Sequence, residues 1–517
     1  MSRPPVVIVG GGHNGLVAGC FLAREGREVI LLEAAAAVGG GCRTEATVEG
    51  HPDVLFDLHS VAHNLINMTD IVEELDLASA GLRYVEMDPF SVAIHGDGRR
   101  VRFWRSVEQT VESIAEIDPR EARAYGAFMK DAAPLVSAAL PVIQGQISPW
   151  STFGRLGDVG RAVRRNGLLG LARDVVSPYD TLLSRRLPSD LTRGPVAAFA
   201  AHAGVGPTLP GGSLYAFWQA AYHRFGQWHA MGGSRSLTDA LARRLEQMGG
   251  VIRTSSPVER IERNAESVTG VVLEGGERLA ASAVINAVDP QLGLLRLLDP
   301  PLAGRDGQAL AAARRGNVVQ AVLHVVVNEL PAYEGLAPGD HAGLQSYVDR
   351  LADLRKAWSD AEAGLMPDPI PLYAFTTSSL DPGLAPSGLH SLYLASPAAP
   401  YRLRDGRSWE DATEDYVQTC FATVERRAPG FARTVLGWHL RSPAVMAEGG
   451  RWPGAHPMHL DIAMDQLGPF RPIRSMGDHR VPGITGLYVS GAGTNPSGGV
   501  LGTPGRRAAR ALLADSK

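Results

Sequence analysis

The chain has 517 residues, too many for one hydrophobic core, so two or more domains are expected. It is 45% apolar and 20% charged, the balance of a soluble globular protein, and its net charge of -4 excludes the basic footprint of a nucleic-acid binder. Cys20, Cys42 and Cys420 form neither a C-x-x-C pair nor a metal-ligand spacing, which excludes a disulfide framework and leaves no metal ligands to assign. The start lacks a basic leader with an apolar core and cleavage site, and no apolar run reaches the ~20 residues of a membrane span. A cytoplasmic location is the default expectation, with peripheral membrane contact left open.

Val6-Val7-Ile8-Val9 is a run of β-branched residues and reads as a buried strand. Gly10-Gly11-Gly12-His13-Asn14-Gly15 follows, and residues 16–25 read as a helix. Val29-Ile30-Leu31-Leu32 is a second strand, ending on Glu33. Strand, Gly-rich turn, helix, strand and acid is the Rossmann fingerprint of a dinucleotide site. Gly10 allows the tight turn, Gly12 admits the pyrophosphate, and Gly15 lets helix and strand approach. The helix start, with Asn14, offers N–H groups to phosphate, and Glu33 is placed for ribose hydroxyls.

Val38-Gly39-Gly40-Gly41-Cys42-Arg43-Thr44 comes next. An acid, a short spacer, a Gly pair and Arg-Thr resembles the extended motif of the large two-domain FAD oxidoreductases. That resemblance adds Gly40, Arg43 and Thr44 to the FAD contacts. In the same family a segment like Phe56-Asp57-Leu58-His59-Ser60 passes near the flavin. His59 stands there in place of a small residue, and His63 follows. Either His is a proton carrier or a hydrogen-bonded structural residue.

Residues 84–102 alternate around His95-Gly96-Asp97-Gly98 and predict a hairpin. Residues 106–115 and 118–133 predict helices, the second opened by Asp118-Pro119. Residues 151–173 carry Arg155, Arg161, Arg164, Arg165 and Arg173, and suit either a solvated helical face or an anionic membrane surface. Phe199, Tyr215, Phe217, Trp218 and Tyr222 suit either an apolar substrate pocket or plain core. The nucleotide domain then resumes. Residues 237–248 predict a helix, 251–254 and 258–261 strands, 268–273 and 278–281 a hairpin, and 284–287 a last strand. By resemblance, Val258 meets the adenine through its backbone. Residues 317–328, 372–375 and 391–394 predict strands and 409–427 a helix. These complete a second, discontinuous domain.

The tail reads Tyr488-Val489-Ser490-Gly491-Ala492-Gly493-Thr494, then Asn495-Pro496-Ser497-Gly498-Gly499-Val500, then a helix over 505–513. This pattern resembles the signature of the bacterial-type phytoene desaturases. Asp118-Pro119, Asp381-Pro382 and Arg471-Pro472 look like a pyridine-nucleotide-disulfide-oxidoreductase-domain-like branch of that family. The resemblance implies an α/β fold: a Rossmann-type, glutathione-reductase-2-like FAD-binding domain over 1–80, 225–300 and 480–517. A discontinuous α+β substrate domain takes 81–224 and 301–479. Gly491, Ala492, Gly499 and Val500 join the FAD site. The implied activity is hydride transfer between an apolar substrate, a polyene or secondary metabolite, and flavin N5. Asn495 stands where the family usually has His, and Ser497 where it has Gly, which leaves substrate and direction open.

A desaturation needs a proton acceptor, and Asp57, His59, His63 and His202 are the candidates. A second G-x-G-x-x-G and a cysteine pair are both missing, which favours oxygen, a quinone or another carrier as electron acceptor. Flavin amine oxidases share the N-terminal motif, but many place a lysine at the flavin. Only Lys130, Lys356 and Lys517 occur here, none in a flavin motif. A flavin-dependent reductive cyclase or a non-redox isomerase remains the main alternative.

Overall fold

The computed structural model describes residues 4–145, 157, 160, 163, 164, 167–448 and 452–516. Five parallel strands form the central sheet, in the order Leu487–Val489, Ala283–Asn286, Val6–Val9, Val29–Leu32, Val251–Arg253. Three distant stretches of sequence therefore share one sheet. Strand residues alternate between its faces. Val6, Ile8, Val29 and Leu31 pack under the helices His13–Arg24, Arg235–Gln247 and Thr503–Asp515. Val7, Val9, Leu32 and Val284 pack against the meander of Val258–Arg263, Val268–Leu273 and Arg278–Ala280. Burial of both faces is why these strands read as unbroken apolar runs.

The first helix begins at His13, three residues before the expected start, because Leu16 N already donates to Gly12 O at 3.0 Å. The turn and the helix are one unit. A Cβ on Gly15 would collide with the carbonyl oxygen of Gly10, and one on Gly505 with that of Asn14. The last helix thus lies directly on the first, so the two ends of the chain meet. Gly15→Ala is expected to cost roughly 3 kcal/mol or more, since the obstacle is backbone. A thermal melt with an unchanged midpoint would contradict this.

The second domain is built on a seven-stranded sheet. Its order is Val435–Arg441, Val318–Val327, His390–Pro400, Tyr373–Phe375, Leu344–Ser346, Ser91–Ile94, Arg100–Phe103. Only Leu344–Ser346 and Ser91–Ile94 run parallel. Leu323, Val325, Leu392 and Leu394 pack against the helix Trp409–Glu425, and Val322, Tyr373, Phe375 and Tyr393 face the other helices.

Residues 84–102 split into two pairings. Ser91–Ile94 and Arg100–Phe103 form the hairpin, while Tyr84–Glu86 pairs with Trp228–Ala230. The expected 118–133 helix extends over Pro119–Gln144, past Pro134 and Pro141, to a left-handed Gly145. By length and composition it is apolar enough to cross a membrane, contrary to expectation, but it buries Tyr125, Phe128, Met129 and Val136 in the core. Most of the basic stretch 151–173 lies outside the described residues. The described Leu168–Val176 helix leaves Leu168 and Leu169 exposed.

Candidate active site

A continuous cavity of about 1050 Å³ is lined by residues of both the nucleotide-binding part and the seven-stranded-sheet part. At one end lie Gly10, Gly12, Asn14, Glu33, Gly40, Arg43 and Val258, and along it Gly491, Ala492, Gly499 and Val500. The N-terminal motif and the tail, nearly 500 residues apart in sequence, therefore line one space.

This end fits FAD. The Gly-rich loop is tied to the following loop by Gly39 N donating to Gly11 O at 2.9 Å. Gly12 has an ordinary φ of -69°, and a Cβ there would meet only Gly40 Cα at 4.0 Å, so its face opens on the cavity. No side chain caps the helix behind it, which leaves that N-terminus for an anion. Asn14 Oδ1 and Arg43 Nε are buried without protein partners. Glu33 accepts from Gly11 N and Ala35 N, each at 2.8 Å, so its carboxylate is held at the strand end.

Three expected contacts do not line the cavity. Gly15 works through packing alone, because its Cα faces the Gly10 backbone. Thr44 is held away: its hydroxyl donates to Asp57 Oδ1 at 2.7 Å and accepts from Arg235 N at 3.0 Å. His63 is buried, with Nδ1 2.7 Å from the Tyr84 hydroxyl and Nε2 2.7 Å from Ser234 Oγ. Both its nitrogens are bonded to side-chain hydroxyls, and it does not line the cavity. Asp57 is likewise off the cavity and accepts from Ser234 N at 2.7 Å. Asn495 turns its amide to Gly477 O at 2.5 Å and does not face the cavity, whereas Ser497, the other departure from the family pattern, does line it.

His59 does line it. Its Nε2 lies 3.2 Å from Arg441 Nη2, and its ring sits edge-on to Trp452 at 4.2 Å. A guanidinium only donates, so Nε2 accepts and the neutral ring carries its proton on Nδ1. Burial, then the Arg441 charge, hold its pKa well below the ordinary value. Protonating Nε2 would set two cations against each other, which makes His59 a poor base.

His202 also lines the cavity, with its ring edge-on to Tyr373 at 5.1 Å. It ends the helix Asp190–His202, where the helix dipole favours a cation by up to ~2 kcal/mol. Burial overrides that and pushes its pKa down to about 4. Around it the wall is apolar. Leu135, Val136, Ala139, Val142 and Ile143 present one face of the Pro119–Gln144 helix. Tyr215, Phe217, Trp218 and Tyr222 also line it as pocket residues, whereas Phe199 packs into the core against Phe90 and Tyr222. Among the described residues no lysine reaches this space.

Arg441, Trp452, His13, Met458 and His459 line the cavity without having been singled out. His13 lies inside the Gly-rich motif and was within reach of the sequence; the others carry no local signal. His13 Nε2 sits 3.1 Å from Gly499 O, joining the two motifs, and burial lowers its pKa from 6.5 to about 4. The folded state therefore prefers the neutral ring. That preference is complete above about 6.5 and is lost as pH falls toward 4. At pH 5 this one ring lowers stability by on the order of 2 kcal/mol relative to pH 8. Replacing it in His13→Gln should flatten the fall of melting temperature with acid, and an unchanged slope would refute this.

Residues 15–332 match the Flavin containing amine oxidoreductase family. The chain belongs to that family. It is an FAD-dependent oxidoreductase. It is 29% identical to the Rattus norvegicus pyridine nucleotide-disulfide oxidoreductase domain-containing protein 2, over 99% of this chain and 93% of that one. It is 28% identical to the all-trans-zeta-carotene desaturase of Myxococcus xanthus, over 96% and 90% respectively. Among solved structures, an oxidoreductase from Methanosarcina mazei superposes with a TM-score of 0.63 at 15% identity, over 99% of this chain and 100% of that one, and shares the fold. The bacterial desaturase resemblance read from the tail thus extends over the whole chain.

Proposed function

We infer that this oxidoreductase dehydrogenates an extended apolar molecule of polyene type. The observation that carries the reading is the apolar half of the cavity. One helix face and four aromatic side chains line it, with no lysine among the described residues. Similarity to a zeta-carotene desaturase supports it. When bound, FAD supplies the hydride acceptor.

The residues of the chain do the rest. The Leu135 to Ile143 face and Trp218 hold the substrate chain extended and exclude water. Glu33, Gly12, Asn14 and Arg43 would hold the cofactor. His202 is the proton acceptor. A base near pKa 4 is too weak for an unactivated C–H bond but strong enough for a proton beside a carbon that has lost hydride. This order, hydride first and proton second, suits a neutral imidazole in an apolar wall. An amine oxidase is disfavoured by the same wall. The reduced enzyme would pass electrons to oxygen, a quinone or another carrier. The test is product analysis with zeta-carotene and retinoids in lipid vesicles. Products lacking two hydrogens support dehydrogenation; products of unchanged mass would support an isomerase instead.

A further inference from the structure

We propose that the cavity contains an anion subsite at Arg441 that takes a carboxylate at one end of the apolar substrate. The inference rests on the dehydrogenase reading above and specifies its substrate as an amphiphile.

Arg441 ends the edge strand Val435–Arg441 and lies opposite Val322 in the sheet register. It lines the cavity, as does Gln320 on the neighbouring strand. Among the described residues its one side-chain hydrogen bond is to His59, and its Nε is buried with no partner. Among the described residues no carboxylate pairs with it. Glu45 is already paired with Arg43, whose charge also bears on Arg441. The nearest carboxylate charge is therefore already held by another guanidinium. Guanidinium takes a carboxylate through two parallel hydrogen bonds, a geometry an ammonium lacks. The neutral His59 only accepts from Arg441 through Nε2, so it leaves the guanidinium's charge unanswered. A cavity lined by both this guanidinium and an apolar helix face fits a long chain with one charged end. Arg441 pairs in register with Val322, two residues from Gln320, whose amide donates to His202 O at 3.2 Å, which links this strand end to the His202 part of the cavity.

The experiment is titration of the FAD-loaded enzyme with all-trans-retinoic acid and with its methyl ester, followed by calorimetry and by the flavin spectrum. The wild type should bind the acid about 30-fold more tightly than the ester. Arg441→Gln should abolish that preference while keeping FAD and ester affinity, and Arg441→Lys should keep part of it. Equal binding of acid and ester by the wild type would overturn the anion subsite alone. Failure of both to bind would overturn the apolar-substrate reading as well. Loss of FAD from Arg441→Gln would assign the side chain to the cofactor and also overturn the proposal.

Discussion

Gly12→Val is expected to yield a folded protein that purifies colourless. The backbone at Gly12 lies in ordinary extended space, with φ -69°, so valine is not strained there. The nearest atom to its Cβ is Gly40 Cα at 4.0 Å, so the fold does not resist it. Its methyls would instead fill the space over the uncapped helix start, where the pyrophosphate belongs. Circular dichroism matching wild type together with no retained FAD is the predicted pair of results. A yellow Gly12→Val protein would refute the loop assignment. Gly15→Ala provides the contrast, because its obstacle is a carbonyl oxygen and it should lose stability before cofactor.

The second large effect concerns His202. His202→Ala should keep FAD and lower the rate of polyene dehydrogenation by about 100-fold, the scale of a lost general base. The wild-type rate should hold steady as pH falls from 8 and drop only as it approaches about 4, because the ring loses its lone pair to a proton there. His59→Ala should cost less, since its Nε2 lone pair is already committed to Arg441. A rate unaffected by His202→Ala, or a pH break near 6.5, would remove His202 from the proton path.

The nucleotide end was legible because its parts are contiguous. Gly10 to Glu33 is one strand-turn-helix-strand unit, and each residue's job follows from local geometry. The tail was legible for the same reason, and Gly505 against Asn14 shows why the two motifs need each other. His59 and His63 show the limit. They sit four residues apart in one irregular segment, and only tertiary partners decide that one faces the cavity and the other Tyr84 and Ser234. Arg441 was hidden because its strand lies at a sheet edge and is mostly half-exposed, which blurs the alternation. Leu344–Ser346 was hidden by its brevity and by Gln345 and Ser346, whose polarity reads as loop although all three residues are buried. The Leu135 to Ile143 wall lay beyond the expected end of its helix, since Pro134 reads as a stop.

The central claim is that an apolar chain gives hydride to the flavin in this cavity. Anaerobic mixing of the FAD-loaded protein with the polyene series, without added reductant, tests it most directly. The account predicts bleaching of the flavin's visible band, matched by an equal amount of product lacking two hydrogens. Bleaching by amines, with no response to any polyene, would contradict it.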